Sequence, residues 1–164
     1  MYHDDKIITV REMQPGDDLN TVLALCKDFF AKYEKHHEEF FDTDSLSDDD
    51  IAGLFKDSLT SDRSATIIAL DGDVVVGYAS VIIREQPRFY KIKKVGAVPA
   101  LMVAKKYRRR GIATRIMAEA KNFFIRKGVK YFTFYTAVTN RGAVRLYEKL
   151  GMETLHVSFL GNSE

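Results

Sequence analysis

Three consecutive arginines followed by a glycine are the residues of this chain best suited to holding a phosphate. They follow the apolar stretch 98–104 and lead into a segment with helical spacing. The first N–H groups of a helix have no partner within the helix and carry a partial positive charge. A diphosphate can satisfy both, and a glycine lets the backbone approach it closely. The pattern therefore predicts a phosphate cradle at Arg108, Arg109, Arg110, Gly111, Ile112 and Ala113.

A second chemically notable segment begins at Asn140 and contains Tyr147, whose hydroxyl could donate a proton. Helical spacing also places Tyr147 on an apolar face with Ala143 and Leu146, so a core aromatic is the alternative interpretation. The chain contains no Gly-x-Gly-x-x-Gly and no Gly-Lys-Ser/Thr sequence. The common dinucleotide and P-loop fingerprints are therefore a poor fit.

Together the two segments resemble the two signatures of the GNAT superfamily of acyl-CoA-dependent N-acyltransferases. The first signature, Arg/Gln-x-x-Gly-x-Gly/Ala, is matched by residues 108–113. The second, Asn-x-x-Ala-x-x-x-Tyr-x-x-x-Gly-Phe, is matched from Asn140 to Gly151, with Met152 in place of the aromatic residue. Each follows an apolar strand, and the resemblance covers nearly the whole chain.

The resemblance implies an α/β (α+β) fold in one domain over residues 1–164. Its sheet would be mixed, mostly antiparallel and six- to seven-stranded, flanked by about four helices. It would be splayed between strands 95–104 and 130–138, with the pantetheine arm of acetyl-CoA in the gap. The implied cofactor-binding residues are the cradle residues together with Leu101, Met102, Val103, Asn140 and Ala143.

The activity implied by the resemblance is N-acetyl transfer from acetyl-CoA to a primary amine, by direct attack in a ternary complex and without a metal. Tyr147 matches the general acid that protonates the CoA thiolate. Many relatives carry a carboxylate base near Pro99 and Ala100, but residues 95–104 contain none. The sequence leaves Glu85, His36, His37 or a bound water as candidate bases. A non-catalytic acyl-CoA sensor on the same fold is the alternative function.

The elements that would position these residues can be predicted from periodicity and turn chemistry. Strands are expected at 6–11, 65–70, 74–83, 95–104, 130–138 and 153–160. Helices are expected after the turn at 15–18, from the cap Ser47, from Gly111 to Lys127 and from Gly142 to Leu150. Because Pro99 cannot donate to a neighbouring strand, a bulge is expected there.

The single cysteine, Cys26, excludes an internal disulfide framework, suits a reducing cytoplasm and is interpreted as core filler. We expect a cytoplasmic protein with no membrane partner, because no leader and no apolar run of about 18 residues is present. His36, His37, Glu38 and Glu39 suggest a polar helix end or the rim of an acceptor pocket, and a metal site is disfavoured.

Charge is distributed unevenly behind a net charge of +2. Residues 34–50 are strongly acidic, and residues 84–110 are strongly basic. The acidic segment predicts a cationic amine acceptor, although charge runs are often solvated faces. Nucleic-acid binding through the basic segment is disfavoured, since no recognition module accompanies it. Exposed edge strands make a homodimer an expected assembly.

Overall fold

The computed structural model describes residues 7–35 and 39–163. They form a five-stranded sheet with strand order β1-β2-β3-β4-β5. The strands are β1 Ile8–Glu12, β2 Ser64–Asp71, β3 Val74–Glu85, β4 Lys94–Val103 and β5 Phe132–Phe134, and the helices are α1 Leu19–Glu34, α2 Asp48–Ser58, α3 Ile112–Arg126 and α4 Arg141–Lys149. The first four strands are antiparallel, and β5 is parallel to β4. The predicted fold class is confirmed.

Helices cover both faces of the sheet. One core cluster joins α1 and α2 to β2, β3 and Met102 of β4, and the other joins α3 to Val98 and Val103. Because side chains alternate along a strand, Met102 and Val103 point to opposite faces. The chain therefore has an α1–α2 layer, a sheet and an α3 layer, and β4 packs against both helical layers.

Local sequence accounts for where the helices begin. The Asp18 carboxylate accepts a hydrogen bond from the Thr21 N–H at 3.2 Å and caps α1. At α2, the Ser47 hydroxyl accepts from the Asp50 N–H while the Asp50 carboxylate accepts from the Ser47 N–H, a reciprocal capping box. Both caps agree with the predicted helix starts.

Two irregularities in β4 shape its edge. Ser80 pairs with Ala100 and Ile82 with Ala97, so two residues of β4 lie opposite one residue of β3. This bulge includes Pro99, as predicted. Beyond it, β5 pairs with β4 only from Gly96 to Val98 and then ends. The predicted splay is confirmed, since β4 continues to Val103 without β5 beside it.

The predicted strand at 153–160 is wrong, and the sheet has five strands in the described residues rather than six or seven. Leu155, Val157 and Phe159 alternate as in a strand, but 65%, 64% and 89% of their surface is exposed. Alternation would give the segment one apolar face, but a strand also needs a hydrogen-bonded neighbour, and no described strand pairs with this segment. Among all the residues that the structure describes, no helix has the length and apolar character to cross a bilayer.

Candidate active site

A cleft of about 830 Å³ opens where β4 and β5 diverge. Its floor is β4 from Val98 to Val103, and one wall is the loop that leads into α3. The other walls are α4 and one face of α1. All the predicted site residues except Arg110 line this cleft, although they come from three separate parts of the sequence.

The edge of β4 offers backbone groups to a ligand. Leu101, Met102 and Val103 are in register with Ala79, Tyr78 and Gly77 of β3 on one side. On the other side, the described residues place no strand beside them. Backbone N–H and C=O groups on such an edge need partners, and an extended ligand with amides can supply them.

The loop before α3 has the shape of an anion cradle. Arg109 and Gly111 both adopt left-handed conformations, with φ of 64° and 74°. Gly111 is the N-cap of α3, and no side chain caps this helix start. The first-turn N–H groups are thus left to a ligand or water. The glycine could be read from the sequence, whereas nothing about arginine predicts the positive φ of Arg109.

The three arginines have different surroundings, which the sequence could not separate. Arg108 folds back onto β4, where its Nε donates to the Val103 carbonyl at 2.9 Å. Arg109 lines the cleft. Arg110 lies outside the cleft lining, with its guanidinium 5.5 Å from the Tyr107 ring centroid. The Arg110 side chain is therefore set apart from the cleft, and a contact between Arg110 and the ligand stays a prediction.

The Tyr107 ring supports the base of the loop. Its hydroxyl donates to Asp71 Oδ2 at 2.8 Å, which ties the loop to the end of β2. That hydrogen bond raises the pKa of the Tyr107 phenol. The tyrosine thus anchors the cradle to the sheet while its ring contacts Arg110.

Tyr147 lies half-buried on α4 and lines the cleft. Its ring centroid is 4.5 Å from that of Phe134, the last residue of β5. Burial raises the pKa of Tyr147 to about 12, so the phenol is protonated at physiological pH. The side chain is thus both packed against an aromatic neighbour and available as a proton donor.

Asn140 has a structural role that its position in the second signature did not reveal. It is the N-cap of α4, and its Oδ1 accepts from the Ala143 N–H at 3.3 Å. The amide nitrogen of Asn140 still has two hydrogens to donate. Capping therefore explains the residue without excluding a ligand contact.

Helix α1 contributes a wall that sequence reasoning missed. Phe29, Lys32 and Tyr33 share one face of the helix and line the cleft. Phe29 and Tyr33 are four residues apart, a spacing that places them on one face of a helix, but nothing in that spacing indicates that the face meets Met102 at an open strand edge. Burial, then repulsion from Arg108, lowers the pKa of Lys32, and Asp28 opposes this effect.

Comparison with known proteins agrees with this geometry. Residues 25–152, most of the chain, match the acetyltransferase (GNAT) family. The chain belongs to the GNAT acetyltransferase family. Comparison with the curated proteins gives no significant match.

Solved structures share the GNAT fold over nearly the full chain. A tetramutant of the BH1408 protein from Bacillus halodurans is 18% identical with a TM-score of 0.79, covering 94% of this chain and 99% of its own. The aminoglycoside N-acetyltransferase AAC(6')-Iy in complex with CoA is 20% identical with a TM-score of 0.73, covering 99% of both chains. The aminoglycoside acetyltransferase meta-AAC0020 from an uncultured soil metagenomic sample, in complex with sisomicin, is 18% identical with a TM-score of 0.70, covering 98% and 99%.

Of the candidate bases of this GNAT chain, Glu85 lies among the described residues, and it does not line the cleft. Glu85 pairs with Arg63 at 2.8 Å and is in register with Lys94. Lys94 and Met102 are eight positions apart in β4, which at the usual strand rise is roughly 25 Å. Glu85 is therefore too distant to act there, and His36 and His37 lie outside the described residues.

Cys26 is a core residue, as predicted. It is 4% exposed, and burial raises the pKa of its thiol while the Tyr78 hydroxyl opposes that effect. A buried thiol with a raised pKa forms little thiolate at neutral pH. It therefore fills the α1 side of the core and is not a nucleophile of the cleft.

Proposed function

We propose that this protein transfers an acetyl group from acetyl-CoA to a primary amine by direct attack within a ternary complex. The observation that carries the proposal is the continuity of one cleft from the open edge of β4 to the uncapped start of α3. An amide-containing arm and a diphosphate require these two features at the two ends of one groove.

In this proposal the backbone of β4 at Leu101, Met102 and Val103 pairs with the pantetheine amides. The N–H groups from Arg109 to Ala113 bind the diphosphate, and Asn140 and Ala143 contact the arm from α4. A backbone N–H of β4 also faces the thioester oxygen and stabilises the negative charge that develops there. AAC(6')-Iy, with the same fold, has been solved in complex with CoA, which supports this placement.

The chemical step needs one proton donated and one removed. The amine attacks the thioester carbon, the C–S bond breaks, and the Tyr147 phenol protonates the departing thiolate. The attacking amine must first lose a proton, since an alkyl ammonium has a pKa near 10. The described residues of the cleft include no carboxylate, so we propose that water or one of His36 and His37 accepts it.

Binding of acetyl-CoA tests the first half of the proposal. Titration calorimetry on Arg109→Glu and Arg110→Glu compares two equal charge changes in one loop. Since Arg109 lines the cleft and Arg110 does not, we expect Arg109→Glu to weaken acetyl-CoA binding at least about tenfold more than Arg110→Glu does. A folded wild type that does not bind acetyl-CoA would refute the proposal.

Release of CoA in the presence of amines tests the second half. We expect Tyr147→Phe to lower kcat by about 10²-fold or more with little change in KM. Since the pKa of Tyr147 is about 12, wild-type activity should not fall between pH 8 and pH 10 through loss of this proton. The sensor alternative, favoured by the lack of a carboxylate in β4, predicts binding without amine-dependent CoA release.

A further inference from the structure

The charged side chains that line the cleft have one sign. Among the described residues they are Lys32, Arg108, Arg109, Arg145 and Lys149, and none is Asp or Glu. A CoA diphosphate explains basic residues at the loop before α3. It does not explain Lys32, which projects from α1, because α1 and α3 pack on opposite faces of the sheet.

Arg108 brings a second cation to the α1 side of β4. Its Nε is fixed on the Val103 carbonyl at 2.9 Å, and its Nη2 lies 3.9 Å from the Met102 sulfur. The Met102 side chain belongs to the core cluster of α1 and α2. The guanidinium therefore reaches around the end of β4 toward Lys32.

The two cations repel each other in the free protein. Burial is the largest cause of the lowered pKa of Lys32, and repulsion from Arg108 is the next. Asp28, one turn earlier on α1, is the acid that opposes the shift. An anion bound between the two cations would relieve this repulsion and form charge-assisted hydrogen bonds to both.

We infer that the amine acceptor also carries a carboxylate, which binds between Lys32 and Arg108 beside the open edge of β4. This inference rests on the proposed function and names the substrate class of that site, an amino acid or a similar zwitterion. Its amine is the nucleophile, and its carboxylate sets the orientation toward the thioester. Phe29 and Tyr33, on the same face of α1, supply apolar surface for the rest of the molecule.

The acidic segment that predicted a cationic acceptor does not contradict this inference. Asp48 forms an ion pair with Lys27, and Asp50 caps α2. Asp42 accepts a hydrogen bond from the Ser45 N–H at 3.3 Å. These acids lie outside the cleft lining and have local partners. An amino acid keeps the predicted ammonium and adds the group that the cleft cations require.

The inference is tested with pairs of amines that differ only in a carboxylate: ornithine with putrescine, and tyrosine with tyramine. The readout is kcat/KM at saturating acetyl-CoA. We expect the carboxylate-bearing member of at least one pair to be preferred by about tenfold or more, as charge-assisted contacts would give. The inference would be overturned if neither pair showed a preference for the carboxylate-bearing amine, or if none of the four amines were turned over.

A charge reversal at Lys32 locates the effect. Lys32→Glu should remove or invert the preference and leave the Kd for acetyl-CoA within about threefold of wild type. Lys121→Glu, the same charge change on the exposed side of α3, should leave the preference unchanged. If Lys32→Glu instead weakens acetyl-CoA and leaves acceptor preference intact, Lys32 binds a CoA phosphate and the inference is wrong. Failure of the wild type to bind acetyl-CoA refutes the proposed function itself.

Discussion

Substituting Gly96 by alanine should destabilise the protein, because Phe124 occupies the space that a Cβ would need. The added carbon would lie 2.5 Å from Phe124 Cε1 and 2.7 Å from Cδ1 and Cζ. Ordinary carbon contacts begin near 3.5 Å, so ring and backbone must separate by about 1 Å. Phe124 is 1% exposed and stacks on Phe132 with a centroid distance of 5.4 Å. The ring therefore has little room to move.

The strain falls where the cleft begins. The Gly96 N–H donates to the Tyr131 carbonyl at 2.9 Å, and Gly96 is the first of three residues that pair with β5. Overpacking of this kind costs about 1–3 kcal/mol. In a chain of this size, 2 kcal/mol lowers Tm by roughly 4–8 °C. Displacement of β5 should also weaken acetyl-CoA binding.

Urea unfolding followed by circular dichroism measures the effect. Gly53→Ala is the matched control, since Gly53 is inside α2 and has nothing within 4 Å of its added Cβ. Because alanine has a higher helix propensity than glycine, Gly53→Ala should raise the free energy of unfolding by about 0.5–1 kcal/mol. Adding Phe124→Leu to Gly96→Ala should restore part of the lost free energy of unfolding, so that the double variant is more stable than the sum of the two single effects predicts. A Gly96→Ala variant as stable as wild type would refute the reasoning.

Two further predictions concern tyrosine hydroxyls and an ion pair. Tyr78→Phe should raise the urea-derived free energy of unfolding by about 1 kcal/mol, because the buried hydroxyl makes no hydrogen bond of good geometry among the described residues and has only the Cys26 thiol, a weak partner, beside it. Tyr107→Phe, which loses the bond to Asp71, should lower the free energy of unfolding, and equal shifts in the two variants would contradict this reasoning. Asp17→Asn should lower the free energy of unfolding at pH 7, because Asp17 accepts two 2.7 Å hydrogen bonds from Arg11. The expected loss is only about 1 kcal/mol, since Arg11 is partly exposed to solvent. Arg11 holds the pKa of Asp17 below its ordinary value, so this contribution is present above pH 4 and is lost as pH falls through the lowered pKa; a difference from wild type that stays constant down to pH 2 would refute it.

Features with a local physical cause could be predicted from the sequence. The bulge at Pro99 follows from a missing N–H, and the cap at Ser47 follows from its spacing to Asp50. Features that depend on a distant partner could not. The segment 153–160 has the alternation of a strand but pairs with no described strand, and the turn of Arg109 to positive φ has no local signal. The predicted homodimer stays a prediction, to be measured by sedimentation.

The acidic segment shows why a charge run is weak evidence about a ligand. Two of its aspartates have local partners in the structure: Asp50 completes the capping box of α2 with Ser47, and Asp48 forms an ion pair with Lys27. Lys32, a single basic residue on an otherwise ordinary helix, carries more information because α1 places it at an open strand edge beside Arg108. Those two aspartates of α2 already have hydrogen-bond or ion-pair partners, whereas the pKa of Lys32 stays lowered despite Asp28 one turn away. An anion bound between Lys32 and Arg108 would therefore still be stabilised by both cations. Acceptor specificity in this GNAT protein should therefore follow the cations of α1 and the loop, and Lys32→Glu is the substitution that decides it.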